Sequence, residues 1–83
     1  MNEIYVITYL RGAFPIDLYA VTDKDRAKQL FEEEFTNIQN DCEKYEYSIV
    51  NLRKYENYCT FTIDEKYREV YCGLFLKTIK IKE

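Results

Sequence analysis

The chain has 83 residues, 47% of them hydrophobic, with nine tyrosines, five phenylalanines, no histidine, no tryptophan and a formal net charge of -3. That length is read as one domain, residues 1–83, and a domain of this size buries only roughly 60–65% of its unfolded surface. Without histidine the commonest general base and the commonest metal ligand are missing, and the excess of acid opposes binding to a nucleic-acid backbone.

Residues 3–10 read Glu-Ile-Tyr-Val-Ile-Thr-Tyr-Leu, a β-branched and aromatic run that suits a pleated strand. Alternation points Ile4, Val6 and Leu10 one way and Tyr5, Ile7 and Tyr9 the other. Arg11-Gly12-Ala13 is the natural turn, because Gly12 is free to take a positive φ. A second strand is predicted over 14–21, with Phe14, Ile16, Leu18 and Ala20 on one face and Asp17, Tyr19 and Val21 on the other. Pro15 lacks an N–H, which puts the start of this strand at a sheet edge.

A helix follows. Thr22 with Asp25 resembles a capping box with Asp in place of Glu, and Asp23 and Asp25 complement the dipole in the first turn. Ala27, Leu30, Phe31, Phe35 and Ile38 recur at steps of three and four, which predicts a helix over 23–40 with these five buried. Glu32 and Glu33 fall on its outer side and Glu34 near the edge of the stripe.

The remainder reads as β structure. Strands are predicted over 45–52, 58–63 and 68–81, separated by a polar loop at 53–57 and a turn at 64–67. Cys59, Phe61 and Ile63 share a face, as do Val70, Cys72, Leu74 and Leu76. Ile79 and Ile81 have the other parity, which predicts a bulge near Lys77 or Thr78. Gly73 inside the last strand marks a bend or a close backbone approach. The expected fold is therefore α+β in the order ββαβββ, a single antiparallel sheet of about five strands with one helix on one face. The helix is expected to cover the aliphatic set. The opposite face is expected to carry Tyr5, Ile7, Tyr9, Tyr19, Tyr71 and Phe75.

No residue set suits catalysis. Nucleophilic Cys or Ser needs a base poised near neutrality, and there is no histidine. Asp23 with Asp25, the Glu32–Glu34 run and Asp64 with Glu65 are carboxylate pairs of the kind that can hold a divalent cation. Capping, helix solvation and turn formation account for each of them. No glycine-rich phosphate loop is present. Cys42, Cys59 and Cys72 are odd in number, widely spaced and lack a C-x-x-C motif, so free thiols are expected, with no disulfide, no structural metal and no cofactor. No apolar run approaches the roughly 18–20 residues that span a bilayer. Met1-Asn2-Glu3 leads directly into a strand without the regions of a signal peptide. The cytoplasm is the expected location, with no membrane partner.

Exposed tyrosines on a sheet can stack bases. Residues 17–46, however, hold nine acids against four bases, Lys24, Arg26, Lys28 and Lys44. Direct nucleic-acid binding is therefore not expected, and a basic protein is the expected partner. Protein interfaces favour tyrosine, which offers area and a hydroxyl at little rotamer cost. The candidate contact residues are Glu32, Glu33 and Glu34 on the helix and Tyr5, Tyr9 and Tyr19 on the sheet. The alternative is a homodimeric α+β domain that pairs aromatic sheet faces and holds a small ligand between them.

The strand Tyr5-Val6-Ile7-Thr8-Tyr9 is similar to the first strand of small dimeric α+β barrels. That strand, together with Tyr19-Ala20-Val21-Thr22-Asp23-Lys24-Asp25-Arg26-Ala27, resembles small phage and mobile-element proteins, anti-CRISPR inhibitors among them. The resemblance implies a short, acidic, non-catalytic inhibitor that blocks the nucleic-acid site of a basic effector in the bacterial host cytoplasm.

Overall fold

The computed structural model describes residues 2–81. Five strands and one helix follow the chain as β1 (Asn2–Arg11), β2 (Phe14–Val21), α1 (Lys24–Lys44), β3 (Ser48–Lys54), β4 (Tyr58–Asp64) and β5 (Glu69–Ile81). The strands form one antiparallel sheet in the order β2-β1-β5-β4-β3. The ββαβββ order read from the sequence is therefore observed, and Pro15 lies in an edge strand, where its missing N–H leaves no ladder bond broken.

Gly12 turns β1 into β2 with φ of 61°, and its N–H donates to the Tyr71 carbonyl at 2.7 Å. The helix is capped by Asp23 rather than Thr22: the Asp23 carboxylate accepts from the N–H groups of Asp25 at 2.9 Å and Arg26 at 3.4 Å. Both residues are good caps, and the extended φ/ψ at Asp23 decides between them. The helix also runs past Asn40 to Lys44, because Cys42 continues the stripe one turn beyond Ile38 and is buried. The chain reverses at Glu46, with φ of 60°, where the Tyr47 N–H donates back to the Cys42 carbonyl at 2.8 Å. For this reason β3 starts at Ser48, not at Tyr45. It also extends through Lys54, because a register shift between Val50 and Arg53, with Asn51 at φ of 55°, absorbs extra residues.

The bulge expected near Lys77 is absent. β5 pairs with β1 in unbroken register from Asn2 opposite Ile81 to Arg11 opposite Cys72. Alternation simply continues, so Ile79 and Ile81 emerge on the face away from the helix. The second irregularity instead falls on β2, where the ladder with β1 shifts between Tyr9 and Leu10 and leaves Ile16 as the extra residue.

Which face the helix covers is the main correction. The core contains Tyr5, Ile7 and Tyr9 with Cys59, Phe61, Ile63, Cys72 and Leu74, packed under Ala27, Phe31, Phe35, Ile38 and Cys42. Tyr5, Ile7 and Tyr9 thus lie beneath the helix, and Ile4, Val6 and Leu10 share the open face with Leu18 and Phe75. Pairing explains this. β5 offers its aliphatic row to the helix, and the register sets Tyr9 beside Leu74 and Ile7 beside Leu76 in that row. Both faces of β1 are apolar, so its composition did not distinguish them. Tyr9 stacks on Phe61 at 6.4 Å between ring centroids, and Phe35 meets Phe61 edge-on at 6.3 Å. The tyrosine hydroxyls are satisfied in place: Tyr5 donates to Glu3 at 2.7 Å, and Tyr9 donates to the Cys72 sulfur at 3.9 Å. Leu30 is half-buried rather than buried, and Glu34 takes a buried place on the stripe.

Candidate functional site

The acidic segment of the sequence becomes the outer layer of the molecule. Glu32, Glu33, Asp41, Glu43 and Glu46 are all exposed on α1 and the turn that ends it. Three of these carboxylates are tied down locally, Glu46 by Lys66 Nζ at 3.2 Å. Lys54 Nζ donates to Glu32 at 2.7 Å, and Arg26 lies 3.7 Å from Glu33. Exposed pairs of this kind contribute little to stability and can exchange partners. Lys54 also rests its ammonium 5.6 Å from the Phe31 ring centroid and 5.5 Å from that of Phe35, so it closes the β3 side of the core as well as pairing with Glu32.

Glu34 stands apart from its neighbours in the run. Only 7% exposed, it lies against the Tyr19 hydroxyl and the Asp17 carboxyl of β2. Burial pushes the Glu34 carboxyl up to about 7, and the Asp17 contact adds to the rise while the Tyr19 hydroxyl opposes it. The Tyr19 hydroxyl is in turn pushed up by the negative charge of Glu34. Of the six contact residues expected from the sequence, the structure thus brings Glu34 and Tyr19 together and leaves Glu32 and Glu33 on the surface. Tyr5 and Tyr9 are placed in the core beneath the helix.

The other acid pairs have structural partners. The Asp64 carboxylate accepts from the Lys66 N–H at 2.9 Å within a turn. Glu65 is buried between the guanidinium groups of Arg11 and Arg68, which fastens the turn after β4 to the end of β1. Among the described residues no group of three or more Cys, Asp or Glu side chains is placed to hold a metal ion. A cavity of about 70 Å³ at the C-terminal end of α1, bordered by Tyr9, Arg11, Cys42 and Tyr47, has room for waters but not for a metabolite.

All three cysteines are free and buried. Burial pushes each thiol up, Cys59 to about 11, which keeps the thiolate population small at neutral pH. Ellman's reagent is accordingly expected to leave the native protein almost unlabelled over minutes at pH 8 and to titrate three thiols at once in denaturant. Rapid labelling of the native protein would show that a cysteine is reachable.

The sheet face opposite the helix is open. It exposes Leu18 at 67%, Tyr71 at 65% and Ile79 at 51%. Across it Tyr55 stacks on Tyr58 at 4.6 Å, and Tyr58 on Phe75 at 6.5 Å. Gly73 makes this row possible. A Cβ there would stand 2.5 Å from Phe75 Cε2, so only glycine lets the Phe75 ring lie back over β5. The sequence pattern contained part of this face, Tyr71 and Phe75. Its aliphatic half, Leu18 and Ile79, was missed because those residues look like core until the helix is seen to cover the other side. In comparisons with known proteins the chain matches no family model, no curated protein and no solved structure.

Proposed function

We propose that this chain is a non-catalytic protein-binding domain whose acidic helix layer docks on a basic, nucleic-acid-handling protein, in the manner of a phage-type inhibitor of the anti-CRISPR kind. The observation that supports this most is the segregation of charge. The segment with five more acids than bases forms one outer layer, with Glu32, Glu33, Asp41, Glu43 and Glu46 exposed on it. A surface of this sort imitates the charge of a nucleic-acid backbone and steers association with lysine- and arginine-rich sites. The buried, high-pKa thiols and the carboxylates committed to caps, turns and ion pairs favour binding over catalysis. Glu32 and Glu33 are the charges placed to meet a partner, and Tyr45, exposed at the helix end, is an aromatic anchor within the same layer.

Affinity capture from a bacterial lysate, run in parallel with the wild type and a Glu32→Lys/Glu33→Lys variant, tests this. The wild type is expected to retain a basic protein that the variant loses. With the purified pair, charge reversal is expected to slow association about tenfold or more and to flatten its salt dependence. Equal retention by both proteins, or an association rate indifferent to these two charges, removes the acidic layer from the binding surface.

A further inference from the structure

We propose that the open sheet face is the interface of a homodimer, in which two copies of this chain pack sheet against sheet around a two-fold axis that crosses β5 at Gly73.

The size of the face fits. Four strands, β2, β1, β5 and β4, lie about 4.8 Å apart, and the levels from Tyr71 to Ile79 span about 26 Å along β5. This makes a surface of roughly 500 Å² in projection, and more as accessible area, against about 800 Å² per partner in a standard interface. Leu18, Tyr71 and Ile79 leave exposed apolar surface on this face, and large exposed apolar patches often mark interaction sites. The stacked row Tyr55–Tyr58–Phe75 is already ordered in the single copy, so little side-chain entropy is lost when it is covered.

Charge selects a second copy as the occupant and sets its orientation. The acids of the helix layer lie on the opposite side of the sheet, so face-to-face pairing keeps the two acidic layers outermost and apart. On the open face of β5, Glu69 and Lys77 each lie four residues from Gly73, about 13 Å to either side. An axis across the strands at Gly73 reverses the partner strand and sets each Glu69 level with the partner copy's Lys77. The same axis sets Tyr71 level with the partner copy's Phe75. Aligned sheets at the usual separation of about 10 Å accommodate these matches.

This pairing uses the side away from the helix, so it stands or fails separately from the acidic-layer proposal, and Glu32→Lys/Glu33→Lys should leave it unchanged. Sedimentation equilibrium of the full chain is expected to give twice the 10.1 kDa chain mass at micromolar concentration. Leu18→Lys and Tyr71→Lys alter exposed side chains and should keep the native circular dichroism while weakening the dimer at least tenfold. Lys77→Glu and Glu69→Lys should each weaken it several-fold, and the two together should restore it. A folded wild-type monomer at 100 micromolar overturns the proposal, even if that monomer binds an unlike protein or lipid vesicles through this face. A dimer indifferent to Leu18→Lys and Tyr71→Lys, or a charge swap that does not restore association, also overturns it.

Discussion

Phe61→Ala is expected to remove about 3–5 kcal/mol of stability. Phe61 is 1% exposed at the centre of the core, stacked with Tyr9 along the sheet and met edge-on by Phe35 from the helix. Truncating it loses the transfer energy of the ring and leaves a cavity that two other aromatic side chains cannot close without leaving their rotamers. Domains of this size have only about 5–15 kcal/mol in total, so the variant should be partly unfolded at 37 °C. Urea denaturation followed by circular dichroism reads the loss as a fall in midpoint. Leu18→Ala is the control: Leu18 is about as apolar, but it lies on the open face and should cost under about 1 kcal/mol in the monomer. An unchanged midpoint for Phe61→Ala would mean that the helix does not pack on this face of the sheet. Leu30→Ala should fall between the two, because Leu30 is only half-buried.

The second large effect is on pH dependence. The Glu34 carboxyl titrates near 7 in the folded protein and near the ordinary glutamate value of about 4.3 when unfolded. Between those values the folded state holds the extra proton. Raising the pH through this window therefore favours unfolding, and the stability that the protonated form supplies is lost as pH passes about 7. The loss should amount to about 1–3 kcal/mol, because some solvent still reaches the Glu34 carboxyl. The chain has no histidine, so little else titrates between pH 5 and pH 7. Glu34→Gln keeps a hydrogen-bonding side chain that cannot ionise. It should flatten the slope and raise stability at pH 8 by a similar amount, read by thermal melts from pH 5 to pH 8. A slope equal to that of the wild type would show that Glu34 ionises freely in the folded state.

This second effect joins two elements far apart in sequence. Asp17 and Tyr19 come from edge strand β2 and Glu34 from the middle of α1. In the sequence Glu34 is one of three consecutive glutamates with nothing to separate it from Glu32 and Glu33. Only its position on the buried stripe, one residue before Phe35, carried a signal. Period-3.6 spacing weights apolar residues, so an acid on the inner face reads as an edge residue.

What the sequence determined by itself is what short-range chemistry controls. Alternating β-branched and aromatic runs made the five strands, the 27-31-35-38 stripe made the helix, Gly12 made its turn, and Pro15 placed β2 at an edge. The three cysteines were legible as free thiols because nothing near them in sequence suggests a pair. Element ends depended on local competition, between Thr22 and Asp23 for the cap and between helix and strand at Tyr45–Tyr47, and backbone geometry settled each of these. Register and facing were decided only in the tertiary structure. β1 is apolar on both sides, and shifting a strand by one residue exchanges its faces. The unbroken pairing of β1 with β5 put Tyr5 and Tyr9 under the helix and left Ile4, Val6, Leu18 and Phe75 outside. One helix can cover one side of a sheet. Which side it covers depends on where the long-range ladder aligns with the aliphatic row of β5, and no window of neighbouring residues contains that information.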